Sequence, residues 1–158
     1  MTRLYGRSPK GERIYEYVPD ARFQRVSVIS TIRVNGITNP VVYKGTLNGY
    51  MFMQYIWEYV VPTLKPYDIL IMDRLSSHSM KIISDMVESV GANVIYLPQY
   101  SPDFNPIETV FSQIKSALRK DKPRSVDAIC DALTYAFYSI TPEQALNHFV
   151  NSIYNINV

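Results

Sequence analysis

The sequence predicts an α/β protein in which a mixed β-sheet is flanked by helices. Three observations support this class. β-Branched residues alternate partially in residues 23–34, short apolar runs typical of buried strands occur at residues 68–73 and 93–97, and the carboxyl-terminal third has apolar residues at helical spacing. With 158 residues, 47% of them hydrophobic, the chain is long enough for one domain with a sizeable core. The predicted order is β-β-α-β-α-β-α-α-α.

The front of the chain is predicted to form an antiparallel pair of strands. Residues 1–22 lack a clear period and are basic, so we assign them to an irregular segment. The strand at residues 23–34 ends at Asn35-Gly36, a dipeptide that strongly favours a hairpin turn. A second strand follows at residues 40–43. We therefore expect a hairpin before the first helix.

Five helices are predicted from apolar residues spaced three and four positions apart. The first of these stripes consists of Met53, Ile56, Trp57, Val60, Val61 and Leu64. The second helix is capped by Ser76 or Ser77 and ended by Gly91. Three more helices form the carboxyl-terminal part, with breaks at Pro123 and before Thr141, which caps the last helix.

Basic residues form two local clusters, although the formal net charge is only +2. The first cluster consists of Arg3, Arg7, Lys10, Arg13, Arg22, Arg25 and Arg33. The second cluster consists of Lys115, Arg119, Lys120, Lys122 and Arg124. Such clusters can hold a phosphate backbone while the rest of the protein stays near neutral. The alternative is solvated surface, together with helix-terminal charges that suit the helix dipole.

The single cysteine and the hydropathy pattern exclude several classes of protein. Cys130 allows no intrachain disulfide and argues against a structural zinc site; its position on an apolar helical stripe indicates a small core residue. The first residues lack the apolar stretch of a signal peptide, and no segment supplies the ~20 apolar residues of a membrane span. We therefore expect a cytoplasmic protein that does not contact membranes.

Asp73 and Glu108 are the main candidates for chemistry, with 34 residues between them. Asp73 follows an apolar run, so it is expected at the carboxyl end of a strand, where open α/β sheets bind ligands. Its alternative role is a turn aspartate. Glu108 is the third residue after the predicted cap Asn105, so its alternative role is a capping box. Carboxylates at two such rigid places also suit a divalent metal ion.

Several neighbouring residues could assist these acids. His78 could contact substrate or orient the Asp73 carboxylate, although a solvated histidine is the simpler interpretation. Asp103 is a further acid, and its sequence context favours a turn. Lys115 and Arg119 lie about two and three helical turns beyond Glu108 on roughly the same face, where they could meet phosphates.

Two long motifs resemble a known family. The strings MDRLSSH at residues 72–78 and LPQYSPDFNPIE at residues 97–108 are similar to the catalytic half of bacterial insertion-sequence transposases related to the mariner group, which are DDE superfamily endonucleases. The opening YGRSPKGER at residues 5–13 is similar as well. The resemblance therefore extends over nearly the whole chain, and it favours the metal-ligand interpretation of both acids.

The resemblance implies a ribonuclease H-like fold with an Asp-Asp-Glu triad that holds two Mg²⁺ or Mn²⁺ ions. These ions would activate water or a 3′-hydroxyl for attack on a DNA phosphodiester. Asp73 matches the second acid and Glu108 the third, so both are expected to be catalytic metal ligands. The expected partner is DNA, both transposon ends and target. Candidate DNA contacts are Arg7, Lys10, Arg13, His78, Lys115 and Arg119.

The chain departs from the family pattern in three ways. The resemblance places the first Asp of the family at the end of a strand before the Tyr5-Gly6-Arg7 segment, so we expect this sequence to start after that strand. We also expect the amino-terminal helix-turn-helix region of the family to be absent. We therefore expect residues 1–158 to form a single, partial catalytic domain that lacks its first strand. Finally, Arg74 replaces the usual Asn, and its charge could compete with a metal ion.

Three functional hypotheses follow. The first is an enzyme for DNA strand cleavage and strand transfer, completed by a segment encoded upstream. The second is a non-catalytic remnant that binds DNA or pairs with intact transposase. The third is a nuclease of the same fold with a different role, which the specific string at residues 97–108 disfavours.

Overall fold

Four strands and five α-helices occur in the described part of the chain, which confirms the predicted α/β class. The computed structural model describes residues 7–15, 25–74, 76–152 and 154. The elements are β1 (Val26–Arg33), β2 (Gly36–Lys44), α1 (Gly49–Tyr55), β3 (Ile69–Met72), α2 (Ser77–Glu88), β4 (Asn93–Tyr96), α3 (Pro106–Asp121), α4 (Val126–Tyr138) and α5 (Pro142–Asn151). α1 continues into a π-helical turn, Ile56–Val60, and a 3₁₀ turn, Val61–Thr63. Another 3₁₀ turn, Pro102–Phe104, precedes α3.

β1 and β2 form the predicted antiparallel hairpin, but β2 starts earlier than expected. The pair Arg33 and Gly36 closes the hairpin, so Val34 and Asn35 are the turn residues, not Asn35-Gly36. β2 extends through Pro40 because the register shifts opposite Ser30 and leaves a bulge there. A proline, which cannot donate to the ladder, is tolerated at such a bulge.

β3 and β4 are parallel, with Ile69 paired to Asn93 and Met72 to Tyr96. They form a two-stranded sheet that is separate from β1 and β2 in the described part of the chain. The prediction of one continuous mixed sheet is therefore wrong for these residues. Residues of β1 and β3 line one cavity, and the described strands do not pair across it.

The two faces of β1 pack against two different hydrophobic clusters. Ile29 belongs to the first cluster with the fully buried Tyr55 and Ile83, which joins the α1 region, α2 and the β3–β4 sheet. Val28 and Ile32 pack against the second cluster, which contains residues of α3, α4 and α5. Because side chains alternate along a strand, helices cover both faces of the hairpin.

Tyr55 anchors the bulge of β2 to the first cluster. Its hydroxyl donates a hydrogen bond to the Asn39 carbonyl oxygen at 3.0 Å. Asn39, which adopts a positive φ of 52°, in turn donates from Nδ2 to the Tyr59 carbonyl oxygen at 2.6 Å. Burial raises the pKa of Tyr55 to about 12, so the phenol stays protonated as a donor.

One ion pair joins the two small sheets. Arg33 Nη2 lies 2.7 Å from Asp68 Oδ2 and also donates to the Thr63 carbonyl oxygen at 3.1 Å. The hydrogen bond from Arg33 lowers the pKa of Asp68, and the Lys65 backbone N–H adds to this effect. Arg33 is the last residue of β1, and Asp68 directly precedes β3. Their ion pair therefore places the end of β1 beside the start of β3, so the two strands run in opposite directions along the cavity.

Local signals predicted the helix starts well. Ser76, Asn105 and Thr141 cap α2, α3 and α5 through their side chains, and Pro142 is the first residue of α5 as predicted. Cys130 is only partly buried, so its prediction as a core residue is wrong; that position of α4 lies at the margin of the buried stripe. None of the helices in the described ranges has the length and apolarity that crossing a bilayer requires.

Candidate active site

Asp73 and Glu108 line the same cavity, which has a volume of about 680 Å³. The cavity lies between residues 28–35 on one side and residues 68–73 on the other. The α1 region covers one face of this space, and the beginning of α3 covers the opposite face. The tertiary structure therefore brings a strand end and a helix start to one place.

Asp73 follows β3 directly, at the position that the apolar run predicts. Its side chain is exposed, and Oδ1 accepts a hydrogen bond from Asn105 Nδ2 at 3.3 Å. The carboxylate is therefore held by a residue 32 positions away along the chain. The predicted location at the carboxyl end of a strand is confirmed.

Asn105 connects the two halves of the site. Its side chain is buried, with 8% of its surface exposed. Oδ1 accepts from the Ile107 N–H at 3.4 Å and caps α3, while Nδ2 donates to Asp73. The sequence predicted the cap, but no spacing rule predicts the contact with Asp73. One amide thus positions both the helix that carries Glu108 and the other carboxylate.

Glu108 lies in the first turn of α3 and is partly buried. Its backbone N–H donates to the Asn105 carbonyl oxygen at 3.0 Å. In a capping box, its carboxylate would also bond back to the Asn105 N–H, as Gln144 does to Thr141 in α5. This return bond is not formed among the described residues of α3. The Glu108 carboxylate therefore faces the cavity without a donor from the described chain.

A histidine that the sequence analysis missed fastens α5 to α3 beside Glu108. Thr109 Oγ1 donates to the Pro106 carbonyl oxygen at 2.7 Å and lies 2.8 Å from His148 Nδ1. The other ring nitrogen, His148 Nε2, lies 3.1 Å from Gln113 Oε1, so both nitrogens of the ring contact α3. Burial lowers the pKa of His148. The contact spans 39 positions, so no local signal could have found it.

The predicted DNA contacts on α3 are exposed. Lys115 and Arg119 follow Glu108 by seven and eleven positions, which places all three on one face of the helix. Both cations are exposed to solvent and lie on the same helix face as Glu108, which lines the cavity. The side chain of His78 lies outside the described residues, although its backbone belongs to α2.

The predicted contacts near the amino terminus lie apart from the cavity. Arg7, Lys10 and Arg13 are exposed, and none of them lines it. Hydrogen bonds in this described segment are local: Ser8 Oγ donates to the Glu12 carbonyl oxygen, and the Glu12 N–H donates to the Pro9 carbonyl oxygen. The structure therefore does not bring these three cations to Asp73.

The donor chemistry of the cavity fits one hard divalent cation. Mg²⁺ and Mn²⁺ prefer oxygen ligands, and Mg²⁺ is commonly held by one or two carboxylates together with phosphate oxygens and water. Asp73 and Glu108 supply two such groups. Among the described residues, no cluster of three or more acids, histidines or cysteines is close enough to hold a metal. Asp103 is exposed and does not line the cavity, and Arg74 is exposed beside Asp73.

Comparison with known families assigns the chain. Residues 1–130 match the profile of the DDE superfamily endonuclease domain. The chain belongs to this family. The match covers β1 to the first residues of α4, and so it includes both acids of the cavity. A comparison with curated proteins gave no significant match.

Solved structures of Mos1 transposase have a similar fold to this DDE family domain. The Mos1 mariner paired-end complex with Mn superimposes with a TM-score of 0.71 at 18% identity, over 93% of this chain and 46% of the Mos1 chain. The Mos1 strand transfer complex gives a TM-score of 0.74 at 18% identity, over 96% and 47%. The chain therefore spans just under half the length of the Mos1 chains that it matches.

Proposed function

We propose that this DDE family chain is a transposase catalytic-domain segment that holds a divalent cation between Asp73 and Glu108 and acts in DNA strand cleavage and strand transfer. The observation that carries the proposal is that both carboxylates line one cavity and that Asn105 links their supporting elements. The family match supports it, and so does the fold of Mos1, whose structures include DNA complexes. A ribonuclease H-like arrangement is part of the same proposal.

The chain's own residues would bind and orient the reacting groups. A bound Mg²⁺ or Mn²⁺ would polarise the DNA phosphodiester and assist the attacking water or 3′-hydroxyl. Asp73 and Glu108 would hold that ion, while Asn105 keeps the Asp73 carboxylate in place. The two-ion site that the family resemblance implies needs a carboxylate in addition to these two.

Metal binding tests the assignment of the two acids. We expect isothermal titration calorimetry to detect Mn²⁺ binding to the unmodified chain. Asp73→Asn or Glu108→Gln removes one of the two proposed carboxylate ligands. Because even the loss of a residue that only supports a ligand typically costs 10- to 100-fold in affinity, each change should weaken binding by about tenfold or more. The matched control is Asp103→Asn, which removes an exposed acid from the same loop outside the cavity. Equal Mn²⁺ affinity in all four proteins would refute the assignment.

DNA binding through α3 is the second part of the proposal. Lys115 and Arg119 are exposed on the helix face that starts at Glu108, so duplex DNA placed at the cavity would meet both cations. Removing both charges, as Lys115→Gln with Arg119→Gln, should lower the slope of log affinity against log salt by about 1.8, which is ~0.9 per lost phosphate contact. Fluorescence anisotropy with duplex DNA measures this slope, and exposed Lys81→Gln on α2 is the control. An unchanged slope in the double variant would exclude this interface.

A non-catalytic remnant is the alternative function. It is favoured because Asp68, the third carboxylate that lines the cavity, is paired with Arg33, and because no three acids, histidines or cysteines of the described ranges lie close enough to hold a metal ion. Such a protein would bind DNA or pair with intact transposase without cutting. Nicking of supercoiled plasmid in Mn²⁺ by the chain alone would exclude this alternative, whereas DNA binding without nicking would support it.

A further inference from the structure

α5 packs against α3, although α4 separates the two helices along the chain. Near its start, α5 is anchored by Ala145, which is fully buried in the second hydrophobic cluster. Near its end, the side chain of Phe149 lines the cavity. α5 therefore extends from the core of the protein to the cavity that Asp73 and Glu108 line.

Two side chains of this region contact the chain on both sides of Glu108. Tyr154 Oη donates a hydrogen bond to the Phe104 carbonyl oxygen at 2.8 Å, shortly before α3 begins. His148 Nδ1 lies 2.8 Å from Thr109 Oγ1, in the residue directly after Glu108. Glu108 thus lies between two contacts that one part of the chain makes.

Each of the two side chains has a second contact that fixes its orientation. The ring of Tyr154 meets that of Phe149 edge to face at 6.0 Å, and the Tyr154 N–H donates to the Phe149 carbonyl oxygen at 3.3 Å. Burial raises the pKa of Tyr154, so its hydroxyl stays protonated as a donor. His148 Nε2 lies 3.1 Å from Gln113 Oε1, one turn further along α3. Both contacts beside Glu108 are therefore made by oriented groups.

The first turn of α3 depends on such contacts. The first four N–H groups of a helix have no partner within it, and helix ends fray. The Asn105 side chain satisfies one of these groups, the Ile107 N–H. The remaining support for the turn that carries Glu108 must come from neighbouring elements, and α5 is the element that contacts both of its ends.

We propose that α5 and Tyr154 form a carboxyl-terminal brace that sets the position of the Glu108 carboxylate, with His148 and Tyr154 as its positioning residues. The proposal rests on the proposed function, because it treats Glu108 as a ligand of a divalent cation. Mg²⁺ demands near-ideal ligand geometry, so a carboxylate whose position varies binds it less well. The family match ends at residue 130, so the brace lies outside the part of the chain that assigns the family.

Mn²⁺ affinity, measured by calorimetry well below the Tm of every variant, tests the brace. Tyr154→Phe removes the hydroxyl but keeps the ring against Phe149, so it should lower the affinity about threefold, the equivalent of one hydrogen bond. Adding His148→Ala should bring the loss to about tenfold, which is typical for residues that support a metal ligand. His148→Asn keeps a polar group that can reach Thr109, and it should recover most of the loss that His148→Ala causes.

Thr141→Ala is the matched control, because it separates positioning from stability. It removes the cap at the other end of α5 and leaves the contacts of His148 and Tyr154 in place. Tm should fall by about 2–4 °C, while the Mn²⁺ affinity of the folded protein should stay the same. Equal Mn²⁺ affinity in Thr141→Ala and in the double variant His148→Ala with Tyr154→Phe would overturn the proposal.

A double-mutant cycle shows whether the brace acts through Glu108. In a Glu108→Ala background, the same two substitutions should change Mn²⁺ affinity by less than about twofold, because the carboxylate that they position is gone. A tenfold loss in that background would contradict the proposal, since the two residues would then act on the ion by another route.

Hydrogen exchange separates the brace from the proposed function, because it needs no metal ion. The Glu108 amide, which donates to the Asn105 carbonyl oxygen, should exchange about tenfold faster in the double variant, while the Ala145 amide should not change. If exchange rises but neither the double variant nor Glu108→Ala alters Mn²⁺ affinity, the brace stands and the metal assignment fails. If Glu108→Ala weakens Mn²⁺ binding but the Glu108 amide exchanges at an unchanged rate in the double variant, the metal assignment stands and the brace fails.

Discussion

Replacing Asn105 with aspartate is expected to make the stability of this chain depend on divalent cations. Aspartate also caps helices well, so α3 should keep its start. The donor to Asp73 is lost, however, and a second carboxylate takes its place at a contact of 3.3 Å. Two unit charges 4 Å apart repel by about 1 kcal/mol in water and about 4 kcal/mol at an effective dielectric of 20. Because Asn105 is buried and Asp73 is exposed, we expect a loss of about 2–3 kcal/mol.

The measurement is Tm with EDTA and with Mn²⁺. In EDTA, Asn105→Asp should lower Tm by about 5–10 °C, and Mn²⁺ should restore at least half of this loss by binding between the carboxylates. Asn105→Ser is the matched control, because serine caps the helix without adding a charge. Its Tm should respond to Mn²⁺ no more than that of the unmodified chain. A Tm of Asn105→Asp that is equal in EDTA and Mn²⁺ would show that these carboxylates do not share a cation site.

Truncating Phe137 should produce the largest loss of stability. Its side chain is 2% exposed, belongs to the second hydrophobic cluster and meets Phe111 edge to face at 6.3 Å. Removing a buried phenylalanine typically costs about 3–5 kcal/mol, from lost transfer free energy and from the cavity that remains. Phe137→Ala should therefore lower Tm by about 10 °C or more.

Tyr135→Ala provides the control on the same helix. Tyr135 is 77% exposed, so its removal should change the free energy of unfolding by no more than about 0.5 kcal/mol. Chemical denaturation measures both variants. The second cluster also holds α3, which carries Glu108, so Mn²⁺ binding should decline together with the folded fraction of Phe137→Ala. A loss below about 1 kcal/mol would mean that the cluster repacks around the vacancy.

Local signals predicted most elements of this fold. The caps at Asn105 and Thr141 could be predicted from the sequence, because capping depends on a side chain and backbone groups only two or three positions away. The apolar runs predicted the positions of β3 and β4, but their prediction as strands buried on both faces is wrong for the described residues, because Ile69 and Ile95 are exposed. The earlier start of β2 was missed, because the bulge that accommodates Pro40 depends on how β1 pairs with it.

The contacts that hold the candidate site together could not be predicted from the sequence. The spacing of Asn105 and Glu108 allowed a capping box as the alternative role of Glu108. In the described residues of α3, the Asn105 side chain caps the helix, but Glu108 does not bond back to Asn105. The contact of Thr109 with His148 joins two helices separated by a third, and neither residue carries a signal for it. Spacing along one element says nothing about which distant element packs beside it.

The family, the α/β class, and the places of Asp73 after a strand and Glu108 at a helix start follow from the amino-acid sequence, because periodicity, capping and motif strings are properties of neighbouring residues. The folded structure was needed to show that the two acids share a cavity and that Asn105 connects the elements that carry them. It also decided that the strands form two small sheets with a gap between them. The physical reason is that strand pairing and helix packing join residues far apart in the chain, and their partners are selected by the shape of the folded core.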